Sequence, residues 1–163
     1  MPGMPTATAS AAGAPTHQPQ QGGLEQVIGY QLAKAELVSR DIFFRHAGEP
    51  LGVRPVEYAA LTLVAAHPDG SLRRLARALA LTPPNMTAIV NRLEAQGWVT
   101  RSSSTQDRRS QALRITKAGA ALVREATRRI TAAEKAELKL TPGEQAMLLE
   151  LLQKVAVSRR DAD

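Results

Sequence analysis

The sequence of 163 residues contains no cysteine, which excludes disulfides, thiolate zinc sites and thiol-based redox sensing. This fits a reducing cytoplasm. No apolar run approaches the ~18–20 residues that span a bilayer, so no membrane partner is expected. The first residues supply neither a basic n-region nor an apolar h-region, which argues against a secretory signal. Aromatics make up only 3% of the chain against 44% hydrophobic residues, so the core must be built mainly from Leu, Ala, Val and Ile. That mixture, with few β-branched runs, favours helix. The three histidines, His17, His46 and His67, share no ligand-like spacing, and no metal site is expected. There is no glycine-rich phosphate loop, and no motif assembles a nucleophile, a base and an orienting acid. Neither a cofactor nor an enzymatic activity is therefore expected.

Acidic residues are scarce in one particular place. Residues 71–117 hold nine cations (Arg73, Arg74, Arg77, Arg92, Arg101, Arg108, Arg109, Arg114 and Lys117) against Glu94 and Asp107. The segment is +7 in a chain of +6, so everything else sums to −1. Such confinement of charge suits a phosphate-binding face, where release of counterions drives affinity.

Residues 1–23 carry no Lys, Arg, Asp or Glu and no apolar periodicity, and are expected to be a disordered tail. The remainder, 24–163, suits a single domain. Apolar positions at helical spacing predict a long helix over 24–47, with Gly48 as its C-terminal stop and Pro50 beyond it. Its apolar residues wander around the axis, which suits burial against more than one element, such as a second subunit. A second helix is predicted over 55–67, starting at Pro55 and broken by His67-Pro68-Asp69-Gly70. Ser71 can cap a third helix with Leu72, Leu75, Ala76 and Leu79 inward. After a tight turn, Thr82 can cap a fourth, with Pro83 at its first position. That helix turns Met86, Ile89, Val90 and Leu93 inward. Its opposite face is Pro84, Ala88, Asn91 and Ala95, flanked by Thr87 and Arg92, and is small and polar enough to enter a major groove. Gly97 ends it. Residues 98–101 and 110–116 read as a β-hairpin, with Leu113 and Ile115 inward and Arg114 outward. Thr116 can cap a fifth helix over about 117–137, and Thr141 with Glu144 has capping-box spacing for a last helix to about 157.

Two helices joined by a tight turn and followed by a hairpin make a winged helix-turn-helix. The fold class expected is mainly α with a small β-hairpin, the reading head at 55–117 being flanked by dimerisation helices at 24–54 and 118–157. Here the sequence also resembles the MarR family. Leu72-Arg73-Arg74-Leu75-Ala76-Arg77-Ala78-Leu79 is similar to the first helix of that family's reading head. Leu81-Thr82-Pro83-Pro84-Asn85-Met86-Thr87 is similar to the entry of its recognition helix. Val90 through Val99, and Asp107-Arg108-Arg109 with Leu113 through Gly119, resemble the helix end, the wing and the start of the dimer helix. The similarity covers about residues 51–125. It implies a homodimer, double-stranded DNA as partner, and release of DNA by a small-molecule effector, often an aromatic acid or phenol. Thiol-sensing members need a cysteine that this chain lacks.

The expected DNA contacts are Arg73, Arg74, Thr82, Pro83, Asn85, Met86, Thr87, Asn91, Arg92, Arg101, Asp107, Arg108 and Arg109. Thr82 and Thr87 sit where helix N–H groups and the dipole favour phosphate. Asn85, Asn91 and Arg92 can meet base edges or phosphates, and Arg101 and Arg108 neutralise backbone. The resemblance implies that Asp107 aims Arg109 into a minor groove, whose negative potential attracts Arg. For the effector, the resemblance points to the first two helices, where four of the five aromatics lie. Tyr30, Phe43, Phe44 and Tyr58 offer rings, and Arg40 and His46 offer charge for a carboxylate. Two other uses of such a unit stay open on the residues alone: weakly specific DNA coating, and protein docking.

Overall fold

The computed structural model describes residues 23–68, 70–103 and 111–157. They form two compact units divided between Ala35 and Glu36. Helix α1 (Ile28–Phe43) runs through the boundary, after a 3-10 turn at Leu24–Gln26. In the first unit Leu24, Val27 and Ile28 are exposed, and Gln31 Nε2 donates to the Glu25 carbonyl at 2.9 Å.

In the second unit the chain does not stop at Gly48. A π-helical turn, Phe44–Gly48, leads into a last helical turn, α2 (Glu49–Leu51). Pro50 has no N–H to donate and its ring crowds the carbonyl four residues back. A widened turn before it accommodates both. The terminator is Gly52, left-handed at φ 64°. Gly48 itself is right-handed and has a steric purpose, since a Cβ there would lie 2.9 Å from the Phe44 ring and 3.3 Å from that of Phe43.

Helices α3 (Pro55–Ala66), α4 (Leu72–Ala78) and α5 (Pro83–Ala95) follow. Ser71 caps α4, its Oγ accepting from the Arg74 N–H at 3.3 Å. Helices α4 and α5 end in the same motif. Leu81 N–H bonds the Ala76 carbonyl and Ala80 N–H that of Arg77; Trp98 and Gly97 repeat the pattern on Leu93 and Glu94. The left-handed position is Gly97 in one case and Ala80, at φ 53°, in the other. An alanine there costs about 1–2 kcal/mol, which the tight turn between the two helices must offset.

Strands β1 (Val99–Ser103) and β2 (Gln111–Ile115) form an antiparallel hairpin with Val99 opposite Ile115 and Arg101 opposite Leu113. Strand alternation therefore puts Val99, Arg101, Leu113 and Ile115 on the inner face and exposes Arg114. The core of the reading head gathers Ala60, Leu61, Val64, Leu75, Ala76, Met86, Val90, Leu93, Val99 and Leu113. A second cluster is Phe43, Ala47, Val53 and Ala126, and the partly buried Trp98 and Leu122 pack against both.

Thr116 starts α6 (Lys117–Glu137), and its Oγ1 accepts from the Gly119 N–H at 3.0 Å. Helix α7 (Pro142–Val157) opens with the capping box, in which Thr141 N–H donates to Glu144 at 2.8 Å and Glu144 N–H donates to Thr141 Oγ1 at 3.3 Å. No residue of α7 is buried, and Met147, Leu148, Leu149, Leu151, Leu152 and Val155 are all exposed.

Candidate nucleic-acid interface

The exposed face of α5 follows from its periodicity. Met86, Val90 and Leu93 recur every three or four residues and are wholly buried, which turns Pro83, Pro84, Asn85, Ala88, Asn91 and Arg92 outward. Thr82 holds the N-cap position with an extended backbone, its carbonyl accepting from the Met86 N–H at 3.0 Å. Its side chain makes no cap bond, so capping does not occupy the hydroxyl. The half-buried Thr87 hydroxyl donates to the Pro83 carbonyl at 3.0 Å, so it must rotate before it can donate to a phosphate.

Met86 departs from the expected contact set. It is completely buried, and any side-chain contact with DNA would require leaving the core. Its helical spacing from Val90 and Leu93 places it there, and its neighbours Asn85 and Thr87 carry the exposed and half-exposed chemistry of that turn.

Arg73, Arg74 and Arg77 stand exposed on α4. Arg73 and Arg74 occupy its first turn, where the macrodipole disfavours cations, so helix stability does not account for them. Arg101 differs from the simple backbone neutraliser that its charge suggested. It lies on the inner face of β1, with Nε 3.1 Å from Glu94 Oε2 and a short hydrogen bond from Nη2 to Asn91 Oδ1. It ties the wing strand to α5 and occupies the Asn91 carbonyl, the group that bidentate pairing with adenine would need. Asp107, Arg108 and Arg109 lie outside the described residues.

A second ion pair was not foreseen. Arg92 Nε lies 2.7 Å from Glu57 Oε1, and Glu57 is 1% exposed. Pro55 marks the start of α3 in the sequence, but no local pattern links position 57 to position 92.

The candidate effector residues divide between the two units. Tyr30 belongs to the first, with Lys34 Nζ 5.7 Å from its ring centre. In the second, Phe43 meets Phe44 edge-on and Tyr58 at a tilt, both at 5.9 Å between centroids. The Tyr58 hydroxyl lies 2.7 Å from Thr127 Oγ1. The expected cations already have carboxylate partners. Arg40 is 3.7 Å from Glu36, and His46 Nε2 is 2.6 Å from Glu137, which Arg45 also holds at 2.7 Å. The hydrogen bond from Arg45 is the main reason the Glu137 carboxyl lies below the usual range, with His46 adding to it. A bound carboxylate at this place must compete with Glu137 or reach a different cation.

Comparison with known proteins gives the same assignment as the geometry. A MarR family model matches residues 53–111, the reading head from the start of α3 into β2. The HTH-type transcriptional repressor Rv2887 of Mycobacterium tuberculosis is 31% identical over 129 residues, which cover 78% of this chain and 92% of that protein. The transcriptional repressor CouR, solved bound to a 23-mer DNA duplex, matches with a TM-score of 0.76 and 28% identity over 85% of this chain and 99% of CouR. The Mycobacterium tuberculosis MarR family protein Rv2887, solved in complex with p-aminosalicylic acid, matches with a TM-score of 0.64 and 31% identity over 79% of this chain and 98% of that one. The chain belongs to the MarR family and is a transcriptional regulator with a DNA-binding winged helix.

Proposed function

We propose that this regulator is a homodimeric repressor that binds a pseudo-palindromic operator and leaves it when a small aromatic acid or phenol binds. The observation that carries the DNA reading is the outer face of α5. It is small and polar, and Met86, Val90 and Leu93 fix it against the core. Thr82, Asn85 and Arg92 contact DNA from this face, Arg73 and Arg74 neutralise the flanking phosphates, and Arg109, aimed by Asp107, enters the adjacent minor groove. The dimer reading rests on the exposed apolar side chains of α1 and of all of α7, which a lone chain would leave in water. Two-fold symmetry then sets the half-sites about one helical turn apart, ~10 bp. The effector reading rests on the Phe43, Phe44 and Tyr58 cluster, and on a relative that binds an aromatic acid. Release requires the ligand to bind the DNA-free dimer more tightly than the operator-bound one.

The test is selection of bound sequences from a random duplex pool at ~150 mM salt, a concentration at which phosphate contacts alone bind weakly. The wild type should enrich an inverted repeat, and Arg109→Ala should weaken or erase its flanks. Recovery of no repeat would refute the operator and support a DNA-coating protein.

A further inference from the structure

Among the described residues, Glu57 is the one charged side chain in the core. Its oxygens have separate tasks. Oε2 accepts from the Arg54 N–H at 2.9 Å and closes the start of α3; Oε1 holds Arg92 Nε at 2.7 Å. Capping alone does not call for burial, because Glu144 makes the same bond to Thr141 in solvent. Burying an ion is costly. What burial adds is an anchor that cannot move, placed under the outer face of α5.

Arg92 is held at its stem. The contact uses Nε, while the side chain as a whole remains 43% exposed. Four of the five guanidinium N–H bonds are on the Nη groups, which that contact does not engage. A free arginine loses much rotamer freedom when it docks, and one already tethered through Nε has lost most of it beforehand. We propose that Glu57 is a positioning residue for DNA recognition, holding Arg92 by Nε so that its Nη edge meets a backbone phosphate. This rests on the DNA reading given above.

Simple electrostatics predicts the opposite sign for the decisive variant, since removing a carboxylate near a polyanion should tighten binding. Full-length wild type, Glu57→Gln, Glu57→Gln/Arg92→Met and Arg92→Lys would be titrated by fluorescence anisotropy against the duplex selected with the wild type, over a range of salt. Glu57→Gln retains the volume and an acceptor for Arg54. It should weaken binding on the order of tenfold and reduce the salt slope by ~1.8, one phosphate contact in each subunit of the dimer, although Arg92 is still present. Adding Arg92→Met should then change little. Arg92→Lys retains the charge, but a single ammonium cannot both pair with Glu57 and reach the phosphate, so it should show the same loss. That variant tests the inference even if Glu57→Gln fails to fold. Wild-type affinity and slope in either single variant would overturn it. So would a further ~1.8 fall in slope on adding Arg92→Met to Glu57→Gln, which would mean Arg92 reaches DNA unaided in both subunits. A wild type with no salt-dependent duplex binding would overturn the DNA reading itself.

Discussion

Gly119→Ala should destabilise this protein even though alanine is the better helix former. Gly119 lies in the first turn of α6, and a Cβ there would stand 2.2 Å from the Trp98 carbonyl oxygen and 2.9 Å from Ile115 Cγ1. A carbon meets a carbonyl oxygen comfortably at about 3.3 Å, so the start of α6 must retreat by roughly 1 Å. The obstacle is backbone, which no rotamer change can clear. Retreat stretches the bond from Thr116 N–H to the Trp98 carbonyl, now 3.0 Å, and the one from Thr116 Oγ1 to the Gly97 carbonyl, now 2.7 Å. Overpacking costs about 1–3 kcal/mol and a weakened backbone bond about 0.5–1.5 kcal/mol, so the loss should be roughly 3 kcal/mol. For a chain of this size that is a fall in Tm of about 6–12 °C. Helix propensity alone predicts a gain of up to about 1 kcal/mol and a higher Tm. Thermal melting of both proteins by circular dichroism decides, at one fixed concentration because self-association shifts Tm. An unchanged or raised Tm would refute the reasoning and mean that the junction of β1, β2 and α6 has slack.

Two further outcomes follow from the same geometry. Met86→Ala should cost about 2–5 kcal/mol of stability, as for other fully buried side chains, yet leave the selected DNA motif unchanged below its melting temperature; a changed motif would return Met86 to the contact surface. The Glu125 carboxyl, bonded by Arg128 and then Arg129, is lowered from 4.5 to about 2. Its folded value lies below its unfolded one, so its contribution to stability is complete above about 4.5 and disappears as pH falls through about 2. Carboxyl-carbon NMR should show a midpoint near 2 that rises in Arg128→Ala, and a wild-type midpoint of 4 or above would show that the pairs do not persist in solution.

Signals carried within a few residues were the legible ones. Thr82-Pro83 marked the start of α5, Ser71 and Thr116 their caps, Thr141 with Glu144 the last helix, and Gly97 the end of α5. Each depends on one side chain or one dihedral meeting backbone one turn away, and that chemistry is local. The same locality misled at Gly48. A glycine before a proline resembles a stop, but this one makes room for Phe43 and Phe44, and the chain turns once more before Gly52.

The sequence by itself determined the class of fold, the concentration of positive charge in 71–117 and the outward face of α5, because periodicity and charge survive any arrangement of the elements. Tertiary structure alone decided which charged side chains, inside that segment and outside it, are committed to partners. Glu57 and Arg92 stand 35 positions apart and meet only because α5 packs on α3; Arg101 reaches Asn91 and Glu94 only because β1 folds back beside α5; His46 and Arg45 share Glu137 only because α6 passes the π-helical turn. Ion pairs are distance-dependent, and distances between elements are set by the packing of apolar faces that carry no charge themselves.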